Sequence, residues 1–435
     1  MKKIYLTVVL FTALCMLSAC NIISNQPQEP DSSVQPSSPA EPEPTQPEPT
    51  EPEPTQPEST EPAQSDPIPS NSDEELQSKA EQLLKNMTLK EKIGQLLVIR
   101  PEALSTELTF AQINDTREYG ATEFNTKMAE TLDKYPVGGV ALFGKNIQTP
   151  SQLKDFINEM QQNSEIPLFV GIDEEGGSVS RVAKTPGFDV QKFESMEAVG
   201  KTKDPGKARE VGSVIGSYLK EYGFNLDFAP VADVNTNPDN IVIGNRSFGN
   251  DPNLVAEMIT AEIEGLHKAG IMSSIKHFPG HGDTKDDTHS GFVSIEKNWE
   301  ELKECELIPF KAGIDAQTDM IMISHITAEN VTDDELPSSL SYEMIEGRLR
   351  KELNYDGVVI TDSMSMGAIE NQYSSGEAAV LAISAGADIV LMPGDFIKAF
   401  ESIYDAVNNG TLSEERIDQS VLRILTLKEK YEILK

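Results

Sequence analysis

The sequence has 435 residues, with 36 basic and 71 acidic side chains and a formal charge of −35. So acidic a chain lacks the basic footprint that a phosphate backbone or an anionic lipid surface demands, which argues against nucleic acid and against electrostatic membrane docking. The first 72 residues differ in kind from the rest: they hold 14 of the 27 prolines, and residues 21–72 carry ten acidic groups and no basic one. The other 363 residues, with 61 acidic and 34 basic groups, are long enough for one large α/β core.

Met1-Lys2-Lys3 is a positive start, and Ile4 to Leu17 is apolar but too short to span a bilayer comfortably. Residues 1–20 therefore predict a signal peptide. It ends in Leu17-Ser18-Ala19-Cys20, which resembles a bacterial lipobox and implies lipidation at Cys20. Residues 21–72 show no apolar periodicity, and EPEPTQPEPT at 41–50 is followed by EPEPTQPEST at 51–60. Proline at this density supports neither helix nor sheet ladder, and the apolar surface is too small to offset chain entropy, so a solvated linker is expected. At about 3.1 Å per residue it reaches on the order of 160 Å when fully extended. With Cys15 and Cys20 both in the signal region, Cys305 is the one thiol left for the domain, so no internal disulfide is expected.

Residues 73–435 read as one folded domain. Helical spacing opens it (Leu76, Ala80, Leu83, Leu84), and Thr88 is placed to cap a second helix from Leu89. Eight short β-rich runs follow, at 95–99, 139–143, 168–172, 226–230, 271–275, 320–323, 357–361 and 389–392. Most are continuously apolar, as strands buried on both faces are. Amphipathic stretches of helix length lie between them, for example 151–162, 208–222, 253–269 and 376–385. Eight strand–helix alternations over about 300 residues predict a (β/α)8 TIM barrel, and the absence of GxGxxG after the first run disfavours a dinucleotide-binding fold.

Charged residues sit just beyond these runs: Asp173, Asp233, Lys276-His277, Ser324-His325 and Asp362. In a barrel those positions line the active-site face. A single Asp at a strand–helix junction is as easily an N-cap, but the set as a whole points to a site. The segment Lys276–Ser290, KHFPGHGDTKDDTHS, holds three of the five histidines. His277 and His281 are four apart, yet Pro279-Gly280 forbids the helix a metal pair needs, and no cysteine is at hand, so no metal is expected. Asp287-Thr288-His289 sets a carboxylate two residues from an imidazole. Such a pair suits acid/base work, because the carboxylate fixes the tautomer, although a plain polar loop would look the same.

The run KHFPGHGDTKDDTH resembles the signature of family 3 glycoside hydrolases of the β-N-acetylhexosaminidase, NagZ-like, type. The resemblance extends through GVALFGKNIQ (139–148), NLDFAPVADVN (225–235), GNRSFG (244–249), ITDSMSMGAI (360–369) and GADIVLMP (386–393). It implies a retaining, two-step mechanism with Asp362 as nucleophile, His289 as acid/base and Asp287 as its partner, where most retaining glycosidases use two carboxyl groups. It also implies that Asp173, Arg246, Lys276 and His277 hold the terminal sugar, with Arg181 a further contact. His325 is either a site residue or a satisfied core histidine. Two departures stand out: Glu174 replaces the usual Gln of Asp-Gln-Glu-Gly-Gly and is expected to add a carboxylate near the site, with a bearing on aglycone preference or pH behaviour, and Ser178 stands where arginine is common. The chain runs about forty residues past the eighth run, and the second domain of many relatives is not expected.

The implied protein is a lipid-anchored β-N-acetylglucosaminidase acting outside the bacterial membrane on terminal non-reducing N-acetylglucosamine of peptidoglycan fragments. It is expected to be monomeric, without cofactor or metal, and to touch the membrane only through its lipid. The rival readings are a β-N-acetylglucosaminide phosphorylase and a non-catalytic sugar-binding lipoprotein.

Overall fold

The computed structural model describes residues 73–105, 107–115, 117–285, 287–288, 291 and 293–434. The signal peptide, Cys20, the 21–72 linker and His289 lie outside the described residues. Among the described residues there are ten strands: β1 (Leu97–Ile99), β2 (Gly139–Leu142), β3 (Phe169–Ile172), β4 (Leu226–Asp227), β5 (Met272–Phe278), β6 (Val293–Ile295), β7 (Met320–Ile323), β8 (Ile326–Ala328), β9 (Val358–Thr361) and β10 (Val390–Leu391). Eight of them form one parallel sheet in the order β10-β1-β2-β3-β4-β5-β7-β9, and an Ile360–Ile389 bridge joins its two ends. This is the (β/α)8 barrel, with every expected run contributing a strand. β6 and β8 form a separate parallel pair beside it, three residues long and too short to announce itself in the sequence.

The helices form for reasons visible in the chain. Pro205–Tyr222 and Pro252–Lys268 each start with an Asp cap and a proline in the first turn: Asp204 accepts from Gly206 N, and Asp251 from Asn253 N. The first buries Ala208, Val211, Ile215 and Leu219, and the second Val255, Ile259, Ile263 and Leu266, each at helical spacing. Gly223, at φ +98°, stops the first helix in a left-handed turn. Thr88 caps its helix in a reciprocal box with Glu91, and that helix runs to Gln95, so β1 starts at Leu97, two residues later than its apolar run.

Two apolar layers result. Val98, Phe169, Leu226, Met272, Met320, Val358 and Leu391 fill the barrel, and a larger layer packs the outer strand faces against the helices. The last helix, Glu414–Lys430, closes the floor. Its Lys428 is fully buried and donates to Gln95 Oε1 (2.7 Å), Gly138 O (3.0 Å) and Pro167 O (2.6 Å), three acceptors for the three protons of an ammonium. Burial pushes this amine down to about 7.

Asp388 ties the floor together. It is fully buried and accepts from Arg350 Nη2 (2.5 Å), Arg423 Nη1 (3.1 Å), Ser420 Oγ (2.6 Å) and Val359 N (2.9 Å). Burial alone would raise its pKa, but the surrounding guanidiniums hold it below the usual carboxylate value. Replacing Asp388 with Ala strands Arg350, Arg423 and Arg416, the last with Nη2 3.9 Å from Asp388 Oδ1, beside an empty site, so urea unfolding of the variant is expected to show a loss of about 3–5 kcal/mol.

Candidate active site

At the C-terminal strand ends, β3 runs into Asp173-Glu174-Glu175 and β5 ends in Lys276-His277-Phe278. Lys276 Nζ reaches Asp173 Oδ1 at 2.7 Å and Glu175 Oε1 at 2.5 Å. Arg246, on the returning loop after β4, grips Glu175 with two bonds: Nε to Oε2 at 2.8 Å and Nη2 to Oε1 at 2.7 Å. Arg181 Nη2 stands 4.0 Å from Asp173 Oδ2. Burial opposes the Glu175 charge, but Arg246 and Lys276 override it and hold the carboxyl well below the ordinary range. Burial likewise works against the Lys276 ammonium, and Asp173 and Glu175 reverse the sign and raise its pKa. Among the described residues, Asp173 and Glu175 take two of the three Lys276 protons.

His277 is fixed by Asp233, which is fully buried past β4. Its Nδ1 lies 2.7 Å from Asp233 Oδ2, and Asp233 Oδ1 also accepts from the backbone N–H of His277 (3.2 Å) and His281 (2.6 Å). Burial would raise the Asp233 pKa, but the His277 charge and bond lower it, so the carboxylate accepts and His277 Nδ1 donates. His277 Nε2 is thereby the ring atom left for a ligand.

The loop beyond β5 is held on both sides. Gly282 lies so close to Val234 that a Cβ would stand 1.9 Å from its carbonyl oxygen. His281, buried, pairs Nδ1 with Thr284 Oγ1 at 2.7 Å, and its Nε2 lies 3.4 Å from Thr288 Oγ1. Burial lowers its pKa, and the Asp362 charge is close enough to act on the ring in the opposite sense. Thr288 O accepts from Ala368 N at 3.1 Å, so the loop bearing half-buried Asp287 is fastened to the segment that follows Asp362. His289, which the resemblance pairs with Asp287, lies outside the described residues.

Asp362 follows β9. Its amide donates to Ile323 O (2.8 Å), and its Oδ1 accepts from Ser363 N (2.6 Å). His325 lies underneath, 1% exposed, with Nδ1 at 2.7 Å from Ser339 Oγ and Nε2 at 2.9 Å from Ser363 O. Both ring nitrogens are engaged, and the residue supports the chain just past Asp362, in line with the core-histidine reading.

Three residues changed meaning or were missed. Glu174 does not present its carboxylate to the site: it is fully buried and accepts from the amides of Arg181, Val182 (2.9 Å) and Ala183 (3.0 Å) and from Tyr218 Oη (2.9 Å). Glu175, its neighbour, carries the charge network instead. Two adjacent glutamates look alike in a sequence, and only the backbone direction past β3 separates them. Arg100, directly after β1, donates to Ser365 Oγ (3.0 Å) and Asn114 Oδ1 (2.6 Å), and its guanidinium lies 5.2 Å from the centre of the Phe143 ring, with Arg181 5.8 Å from the same centre. A cation at the first strand end was the available signal for it. Ser178 is exposed. Among the described residues, no group of three or more His, Cys, Asp or Glu is arranged to hold a metal ion.

Residues 88–427 match the family model described as the glycosyl hydrolase family 3 N-terminal domain. The chain is 33% identical to beta-hexosaminidase A of Pseudoalteromonas piscicida over 334 residues, covering 71% of this chain and 56% of that protein. It is 32% identical to a beta-hexosaminidase of Nitrosomonas eutropha, covering 67% of this chain and 86% of that one. Among solved structures, a family 3 beta-N-acetylglucosaminidase from Paenibacillus sp. str. FPU-7 superposes with a TM-score of 0.73 at 37% identity, covering 80% of this chain and 63% of that one. The chain thus spans little more than half the length of the first of these relatives.

Glu175 generates a test by stability. Its pKa is depressed from the ordinary 4.5, so its contribution is complete above that value and is lost as pH falls through its folded value. Glu175→Gln is expected to cost about 3–5 kcal/mol in urea unfolding at pH 7, with the difference from wild type shrinking as pH drops below the carboxylate range.

Proposed function

We propose that this chain, which belongs to glycosyl hydrolase family 3, is a retaining β-N-acetylglucosaminidase that releases terminal non-reducing N-acetylglucosamine from peptidoglycan-derived glycans. The observation that carries this reading is the pairing of a cation–carboxylate network at the ends of β3 and β5 with a carboxylate, Asp362, at the end of β9. The names of the similar proteins support the hexosaminidase class.

In this mechanism Asp173 accepts hydroxyl protons of the terminal sugar while Lys276, Arg246 and Arg181 donate to its oxygens and His277 Nε2 completes the cradle. These charge-assisted bonds are fixed in place by Glu175 and Asp233 before substrate arrives, so little reorganisation is needed as the ring distorts. An Asp362 carboxylate oxygen attacks the anomeric carbon as the glycosidic C–O bond breaks, and His289 gives its proton to the leaving oxygen. Water then attacks the same carbon, His289 takes its proton, and the Asp362 ester bond breaks to release the sugar with its configuration retained. Asp287 is the hydrogen-bond partner that keeps His289 in the right tautomer.

The lipobox at Cys20 and the 21–72 spacer support an anchored enzyme on the outer face of the bacterial membrane, reaching into the wall. No helix among the described residues is long and apolar enough to cross a membrane.

Wild-type protein is expected to turn over an aryl N-acetylglucosaminide in preference to the aryl glucoside, at a rate independent of added phosphate. A phosphate-dependent rate with a sugar phosphate as product would make it a phosphorylase, and tight binding without turnover a carrier. Asp362→Ala should lower kcat by at least about 10⁴-fold. His289→Ala should lose about 10²–10⁴-fold on glycosides with poor leaving groups and much less on a nitrophenyl glycoside. Undiminished turnover by the Asp362 variant would sink the assignment.

A further inference from the structure

Glu174 is flanked in the chain by two side chains of the site, Asp173 and Glu175, yet its own carboxylate points away from Lys276. It enters the base of the following loop and collects four donors. Oε2 accepts from the amides of Arg181 and Val182, and Oε1 from the Ala183 amide (3.0 Å) and the Tyr218 hydroxyl (2.9 Å). Its own amide is held by Asp227 Oδ1 at 3.0 Å. Four donors on two oxygens leave no acceptor position unused. The loop returns at Arg181, whose guanidinium lies beside the Phe143 ring (5.8 Å) and 4.0 Å from Asp173 Oδ2. Asp173 and Arg181 are thus eight residues apart along a loop, and Glu174 is the side chain that pins one end of that loop to the other.

We propose that Glu174 is a positioning residue for sugar binding: its carboxylate sets where the Arg181 backbone sits relative to Asp173, and so the distance at which the two can grip one sugar. This rests on the glycosidase reading of the site. The connection between Asp173 and Arg181 turns at Gly176 and Gly177, both at positive φ (+83° and +60°), and is braced in its middle by a Gly176–Val179 bridge and by Glu175 on Lys276 and Arg246, while the Glu174 carboxylate ties its first residues directly to the Arg181–Ala183 backbone. A glutamine in place of Glu174 keeps one acceptor oxygen and turns an NH2 toward amide donors, so it serves only part of the clamp. Tyr218, on the helix Pro205–Tyr222, ties the clamp to the outer layer.

The test is a double-mutant cycle read as KM and kcat on an aryl N-acetylglucosaminide. Glu174→Ala and Arg181→Ala are each expected to raise KM about tenfold with kcat changed less than about threefold, and the double variant to be no worse than about twice Arg181→Ala. Glu174→Gln should recover part of the loss. Independent roles would instead give about a hundredfold rise in the double variant. That outcome, or a loss confined to kcat, overturns the proposal. Should Glu174→Ala not fold, Tyr218→Phe removes one of the four donors and runs the same cycle: a rise of about two- to threefold in KM that vanishes in the Arg181→Ala background supports the clamp, and an unchanged rise there refutes it. Absence of turnover by the wild type would bring down the glycosidase reading and this inference with it, whereas turnover with additive effects removes the inference alone.

Discussion

One buried carboxylate decides how the sugar-facing end of this barrel is built. Glu175 stands between Lys276, at the end of β5, and Arg246, on the loop after β4, and is itself almost fully buried. Without it Lys276 would face its desolvation cost with Asp173 as partner, and Arg246 with the more distant charges of Asp233 and Asp173. With it, both cations keep their charge and hold fixed directions. The contribution is to precision more than to net stability, since a buried ion pair roughly cancels its own desolvation. Asp233 does the same for His277 on the adjoining strand. The groups that would meet a ligand are thus each held by a second group that would not.

The barrel itself was largely legible. Continuous apolar runs of four or five residues, separated by helix-length amphipathic stretches, leave few architectures open, and each of the eight runs became a strand. The candidate site was legible in part. Asp173, Lys276, His277 and Asp362 announced themselves as charges at the ends of apolar runs, a pattern that burial penalises unless something uses it. Arg246 and Arg181 came only through the resemblance, because they sit in loops where an arginine is unremarkable.

What stayed hidden depended on direction. Glu174 and Glu175 are chemically identical neighbours with opposite assignments, one facing the loop base and the other facing Lys276. No periodicity rule applies just past a strand end, where the alternation of faces has stopped. Arg100 was overlooked for a related reason: of its partners, Ser365 lies 265 residues away and Asn114 ends a five-residue helix, Phe110–Asn114. His325 was ambiguous for want of knowing that Ser339 and Ser363 would occupy its two nitrogens.

The seam of the barrel has a consequence for how the chain is made. β1 pairs with β10, roughly 290 residues further on. The opening helices are tied to the closing one as well, with Lys92 at 2.9 Å from Glu414 and 2.7 Å from Asp418, and Lys79 at 3.1 Å from Glu429. At roughly 5–20 residues per second, a ribosome takes about 15–60 s to travel from one side of the seam to the other. Throughout that interval an apolar strand, Leu97–Ile99, waits with one edge unpaired. Synthesis of this protein therefore includes a long open-edged stage, during which the pairing that later closes the barrel does not yet shield Leu97–Ile99 from another chain.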